Sequence, residues 1–202
     1  MQLTQKFKLE DQGDVATYLG INVASSQVDG HQQFKLSQPH LVQWIIKAVN
    51  LTDSRLHDTP AEPGKPLGKD LEGEHRFYSW SYRSVIGMLN YLCGMLPDIL
   101  FSVHQCTRFF SDPRLSHEKA VKRIVQYLKR TPNEGIILRP DGTKGIQCFV
   151  DADFASGWTS SNCDEPSSVY SRTGFIIVYA GCPLVWVSKL QTEVALSTTE
   201  AE

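Results

Sequence analysis

Residues 116–151 read SHEKAVKRIVQYLKRTPNEGIILRPDGTKGIQCFVD, and within them the hydrophobic period changes from helical to alternating. Val121, Ile124, Val125 and Leu128 fall at i, i+3, i+4 and i+7, the buried stripe of an amphipathic helix. Ser116 is its expected N-cap, and Thr131-Pro132-Asn133 stops it, because a residue before proline is driven out of the helical region. Past Pro140-Asp141-Gly142, IQCFVD sets Ile146, Cys148 and Val150 on one face of a strand and Gln147, Phe149 and Asp151 on the other. The switch predicts an α+β chain with a new domain starting near residue 141.

Upstream, FKLED, ATYLGINVASSQV and QQFKLSQ alternate between turn signals at Gln12-Gly13-Asp14 and Asp29-Gly30, the pattern of short antiparallel strands. Leu41, Trp44, Ile45 and Ala48 then repeat at helical spacing behind Pro39, predicting a helix to about Asn50. The run DTPAEPGKPLGKDLEGE from Asp58 is too rich in proline and glycine for a regular element and reads as a loop or connection. Tyr82, Val85, Ile86, Leu89 and Leu92 form the stripe of a second helix that Pro97 ends, and a third runs from about Ile99 to Phe110. Downstream, GFIIVYA and LVWVSK form an expected strand pair joined by Gly181-Cys182-Pro183. VALST is a further expected strand, followed by a helix opening at TTEAE with capping-box spacing between Thr199 and Glu202. The polar stretch Ser156 to Ser171 reads as a loop.

The 202 residues carry 41% hydrophobic and 21% charged side chains, which argues against disorder. No uninterrupted run of about 18 apolar residues occurs and the first residues are polar, so neither membrane insertion nor secretion is expected. An intracellular protein, cytoplasmic or nuclear, follows. The five cysteines (Cys93, Cys106, Cys148, Cys163, Cys182) are odd in number and include no C-x-x-C pair, so they read as buried or free thiols. The net charge of -2 conceals an asymmetry, because Arg108 to Arg130 holds seven basic residues against two acidic ones, while the chain from Asp141 onward is acidic. Lys119, Lys122, Arg123, Gln126, Lys129 and Arg130 share the outward face of the 117–130 helix. That geometry suits either a phosphate backbone or plain solvent.

Carboxylates at strand ends and at the start of a neighbouring helix hold hard divalent ions such as Mg²⁺ or Mn²⁺, and Asp151, Asp153 and Glu202 are the candidates. A strand-end turn and helix capping are the alternative roles for the same residues. The sequence contains no G-x-x-x-x-G-K-[ST], G-x-S-x-G or H-E-x-x-H, which removes the nucleotide triphosphatase, serine hydrolase and zincin classes. The six histidines are scattered. Packing is the default role for Trp44 and Trp186, which lie in periodic apolar elements.

The succession YLGINV, KLSQPHLVQWII, TPAEP, YRSVIGMLNYL, PDILFSVHQCTRFFSDPRLSH, KAVKRIVQYLKRTPNEGI, VDADFAS and SRTGFIIVYAGCPLVWVSKLQTEVALSTTEAE resembles the Ty1/copia-type retrotransposon polyprotein over nearly the whole chain. The resemblance implies the end of a reverse transcriptase palm and the start of the thumb over residues 1–57, a linker at 58–77, a helical thumb or connection at 78–140, and the beginning of a ribonuclease H-like mixed sheet at 141–202. It implies that Tyr18-Leu19-Gly20-Ile21 is the hairpin that holds the primer end. Lys122, Arg123, Lys129 and Arg130 would contact template and primer, and Asp151 and Glu202 would be two catalytic ligands of the Mg²⁺ (or Mn²⁺) pair that cuts RNA in an RNA–DNA hybrid. Asp153 is a neighbouring alternative, and Glu200 is read as a first-turn acid outside the cluster.

The departures are equally specific. No YVDD-type motif precedes the LGI stretch, so the polymerase active site is expected elsewhere, and Leu96-Pro97-Asp98-Ile99 stands where the family usually has Arg-Pro-Asp-Ile. Glu202 comes before the later nuclease acids of the family, so a polyprotein fragment, inactive alone and dependent on the rest of the polyprotein, is expected. The competing expectation is a noncatalytic nucleic-acid-binding or vestigial scaffold.

Overall fold

The computed structural model describes residues 8, 13–65, 67–70, 72–75, 79–155, 157–160, 163 and 165–202. The expected strand FKLED lies, apart from Lys8, outside the described residues. Two antiparallel sheets, in contact through β4 (Gly135–Leu138) and β7 (Cys182–Leu190), accompany a set of helices. The first sheet has the order β1 (Thr17–Tyr18), β2 (Ile21–Val28), β3 (His31–Ser37), β4 (Gly135–Leu138), and the second the order β5 (Ile146–Asp153), β6 (Arg172–Tyr179), β7 (Cys182–Leu190). The helices are α1 (Pro39–Ala48), α2 (Tyr82–Leu92), α3 (Leu100–Thr107), α4 (Leu115–Arg130) and the short α5 (Thr198–Ala201). The α+β class stands. The sheet expected to be mixed is antiparallel throughout, because both of its connections are hairpin-like returns and no crossover helix lies between its described strands.

Hairpin geometry follows from left-handed residue pairs. Leu19-Gly20 (φ 50° and 76°), Asp29-Gly30 (52° and 77°) and Ala180-Gly181 (51° and 77°) each form a two-residue turn whose twist matches that of the flanking strands. The stretch read as one strand, ATYLGINVASSQV, therefore breaks at Leu19-Gly20. The turn between β6 and β7 is Ala180-Gly181, not Gly181-Cys182-Pro183, since Tyr179 pairs with Cys182. VALST is not a strand; its backbone runs irregularly into α5.

One hydrophobic core joins α1 to α4. Val42, Ile45 and Val49 of the first helix and its C-cap pack with Val85, Ile86, Leu89 and Leu92 of α2, Val103 of α3, and Val121, Ile124, Val125 and Leu128 of α4. Trp44, expected to pack, is 67% exposed. The run LVQWIIKAV offers two overlapping stripes at helical spacing, and contact with α2 and α4 selects Val42, Ile45 and Val49 over Leu41, Trp44 and Ala48. β4, for which no strand was expected, pairs with β3 in the register Leu36↔Ile136 and ties the first sheet to the end of α4.

α4 begins one residue before its expected cap. Arg114 takes the N-cap position expected of Ser116, and its backbone N–H donates to Nδ1 of His117 at 2.8 Å, the reach-back half of a capping box made by an imidazole. At the other end of the chain, Ser197 Oγ accepts from the Glu200 N–H at 3.1 Å and Glu200 Oε2 accepts from the Leu196 N–H at 2.7 Å. The cap is thus built from Ser197 and Glu200 rather than Thr199 and Glu202, which occupies Glu200 and leaves Glu202 outside it.

The second sheet docks on the helices through β7 and α3. Trp186 Nε1 donates to the Cys93 carbonyl at 2.8 Å, His104 Nδ1 donates to the Ser188 carbonyl at 2.6 Å, and Arg108 reaches Glu165 at 2.9 Å and Ser167 Oγ at 2.7 Å. Arg172 is buried there, its guanidinium 5.2 Å from the Phe101 ring centroid. Burial, and then the nearby charge of Arg108, lower its proton affinity, while Asp153 opposes them. Among the described residues no helix is long and apolar enough to cross a membrane.

Candidate functional site

Asp151 lies near the end of β5, opposite Gly174 of β6, which in turn lies opposite Ser188 of β7. Strand alternation sets Asp151 on one face with Phe149 and Asp153. Since Gly174 has no side chain, that row is open beside the carboxylate, and both Asp151 and Glu202 are exposed. Asp153 differs. It pairs in register with the buried Arg172 and is electrostatically coupled to it, which draws it toward the helical layer.

α5 packs against β5, so the elements that carry Asp151 and Glu202 are neighbours. Gln191 holds the approach, its Nε2 donating to Thr173 Oγ1 at 2.9 Å and to the Ala201 carbonyl at 2.7 Å. Sequence reading gave no sign of this residue. A Gln just after a strand becomes informative only once α5 is known to return over the sheet. The carboxylates are the hard oxygen donors that Mg²⁺ prefers. Among the described residues, however, no group of three or more His, Cys, Asp or Glu is placed to hold a metal ion. The two carboxylates therefore suit such an ion in kind but do not make a closed site.

The basic helix is engaged with its own chain. Lys122 pairs with the fully buried Glu118 at 2.8 Å, Arg123 donates to the Thr59 carbonyl at 3.2 Å and to its hydroxyl at 2.9 Å, Lys129 donates to the Ser54 carbonyl at 2.7 Å, and Arg130 pairs with Asp58. The face expected to point outward is thus contacted by Ser54, Asp58 and Thr59. Lys119 and Arg130 remain exposed. The missed signal is Asp58 and Thr59, short polar residues at the start of a segment read only as a connection, together with Ser54 just before it.

His117 lies at the root of this helix, fully buried and stacked on Phe109 with ring centroids 3.9 Å apart and planes 6° from parallel. Nδ1 accepts from the Arg114 N–H, so Nε2 carries the proton and donates to the Gly68 carbonyl at 2.7 Å. Burial lowers its pKa below the ordinary 6.5, outweighing the Gly68 carbonyl, which acts in the opposite sense.

The hairpin Tyr18–Ile21 leaves Tyr18 and Leu19 exposed, and the Tyr91 hydroxyl of α2 donates to the Leu19 carbonyl at 2.7 Å. A turn with exposed side chains is thereby fixed to the helical layer.

No family model matches the chain, and no solved structure matches it. Among curated proteins it is 30% identical over 200 residues to the retrovirus-related Pol polyprotein from transposon RE1 of Arabidopsis thaliana, a match covering 99% of this chain and 13% of that protein. It is 28% identical over 208 residues to the corresponding polyprotein from transposon TNT 1-94 of Nicotiana tabacum, covering 99% of this chain and 15% of that protein. An uncharacterized mitochondrial protein of Arabidopsis thaliana is 30% identical over 205 residues, which cover all of this chain and 78% of that relative. The chain thus spans about one seventh of the length of the two transposon polyproteins it matches. The similarity extends from the first sheet through the helices into the second, and the chain belongs to the family of retrovirus-related transposon Pol polyproteins.

Proposed function

We propose that this chain is the part of a Pol polyprotein with RNA-directed DNA polymerase and ribonuclease H activity that contacts template–primer and supplies two nuclease carboxylates. One observation carries the reading: β5, bearing Asp151, and α5, followed directly by Glu202, pack against each other beside the open row at Gly174. Asp151 and Glu202 would hold Mg²⁺, whose role when bound is to activate water and stabilise the leaving oxygen of a phosphodiester. Further donors must come from other parts of the polyprotein, because two carboxylates do not close a two-metal site. Gln191 positions α5 over β5, and Gly174 keeps the approach to Asp151 clear. The test uses RNA–DNA hybrid and Mg²⁺ with this chain and with a chain extended into the following polyprotein sequence. The extended protein is expected to cut the RNA strand and its Asp151→Asn variant to lose that activity; equal cleavage by both would falsify the assignment.

A second reading, a noncatalytic nucleic-acid-binding scaffold, is favoured by the concentration of cations on α4 together with the absence of a three-ligand cluster among the described residues. It predicts salt-sensitive hybrid binding without cleavage by the extended protein. Neutralising Lys129 and Arg130 should then reduce the slope of log affinity against log salt by about 0.9 for each phosphate that is no longer neutralised. An unchanged slope would remove α4 from the interface in either reading.

A further inference from the structure

The connection after α1 crosses α4 with little to hold it there. Leu51 before it and Leu67 beyond it pack against the helical core, yet none of residues 52–65 is buried. Among the described residues, the bonds this stretch makes to other elements all end on α4. The Ser54 carbonyl accepts from Lys129 at 2.7 Å, the Thr59 carbonyl and hydroxyl accept from Arg123 at 3.2 and 2.9 Å, and Asp58 pairs with Arg130. That ion pair is 54% and 78% exposed on its two sides, the kind that water and salt weaken most. A cavity of about 620 Å³, lined by Pro60, Ala61 and Glu62 on one side, separates the middle of the stretch from α3 and α4. Past it the chain is anchored, for the Gly68 carbonyl accepts from the buried His117 at 2.7 Å and the Leu67 carbonyl from Arg108 at 3.4 Å. Local opening between these leucines therefore breaks a few surface bonds and no packed core.

We propose that residues 52–65 form an autoinhibitory strap, which occupies Arg123, Lys129 and Arg130 in the free chain and is displaced when a nucleic-acid backbone takes those cations. The proposal rests on the reading that α4 contacts nucleic acid, and adds to it the regulation of that surface. Two carbonyl oxygens, a hydroxyl and a carboxylate of the strap present to α4 the acceptors that phosphates would present. Phosphate oxygens are charged where the carbonyls and the hydroxyl are neutral, so they replace the bonds to Lys129 and Arg123 with stronger ones. Arg123 and Arg130 lie about 10 Å apart along the helix, two turns at 1.5 Å per residue. A small anion that reaches one cation leaves the other strap bonds in place, whereas an extended backbone engages both ends and releases the whole stretch. Closure lowers the apparent affinity by the fraction of chains that are open.

The test places nitroxides at Glu62→Cys in the strap and at Gln43→Cys, an exposed position of α1, with the exposed thiols removed as Cys148→Ser and Cys163→Ser. Pulsed electron resonance then reads the separation of the two labels in the full chain. An RNA–DNA hybrid should lengthen and broaden the distance distribution, and Asp58→Asn should shift it the same way with no nucleic acid present. Inorganic phosphate at equal ionic strength should leave it unchanged. In the unlabelled chain Asp58→Asn should tighten hybrid binding about fivefold, because the closed state loses its ion pair to Arg130. Glu62→Gln removes the same charge from the strap but no bond to α4, its carboxylate being held by Lys65, and should change binding less than about twofold. Should Asp58→Asn unfold, the response of the labelled chain to hybrid decides the matter alone. Hybrid bound at an unchanged label distance, release by inorganic phosphate, or equal tightening by Asp58→Asn and Glu62→Gln would overturn the strap and leave α4 as a binding surface. Absence of binding by the wild type and by Asp58→Asn alike would overturn the reading of α4 and the strap with it.

Discussion

At the scale of single residues, His117 couples stability to pH. Its folded-state pKa lies below the ordinary 6.5, so the unfolded chain takes up the proton first as pH falls. Its contribution is complete above about pH 6.5 and is lost as pH drops through the lower folded value. Urea midpoints measured from pH 8 to pH 5 should therefore decline, and His117→Gln should flatten that decline while lowering the midpoint at pH 8; a wild-type midpoint indifferent to pH would refute the neutral assignment. The cysteines divide in the same way. Burial pushes the Cys93 and Cys106 thiols up to about 12, whereas Cys148 and Cys163 are exposed. A thiol reagent at pH 8 should titrate Cys148 and Cys163 rapidly and reach Cys93 and Cys106 only on unfolding, as peptide mapping of the labelled protein will show. Sequence alone reveals neither behaviour. The stripe of α4 was legible from Val121 to Leu128, but the burial of His117 depends on Phe109 and Gly68, which periodicity does not connect to it.

At the scale of elements, β4 shows where local reading stops. GIIL is too short to display a period, and only pairing with β3, about 100 residues earlier, makes it a strand. Gly135 is the point of closest approach: a Cβ there would run into the Leu36 carbonyl, which is backbone and cannot swing aside. Gly135→Ala should cost about 1–3 kcal/mol through forced displacement of the two strands, read as a fall in the denaturation midpoint without a change in slope. A neutral result would mean that β4 is not held at that distance. Turn chemistry was more informative. Asp29-Gly30 announces its hairpin outright, whereas Leu19-Gly20 does not, because leucine is a poor choice for a left-handed position and conceals the break between β1 and β2. The acidic elements were legible in order and type. Their juxtaposition was not, since it depends on Gln191 binding the Ala201 carbonyl.

At the scale of the whole molecule, the helical layer and second sheet meet through a few specific bonds. Trp186→Phe keeps the ring packing but removes the donor to the Cys93 carbonyl, and should cost roughly 1 kcal/mol. It should also hasten amide exchange in β7 more than in α4; uniform acceleration throughout the chain would indicate that the sheet and helices unfold together rather than separating at this seam. The connection following α1 is long, yet the helices on either side of it share a single interior. The backbone between them also bonds to α4 through Ser54, Asp58 and Thr59, so its first part adds to the surface that the two halves share. Severed after Gly64 and co-expressed as two polypeptides, the halves should find each other and co-elute as one species, with neither half folded in isolation. Such a split protein would turn an intramolecular core into an inducible reporter of association.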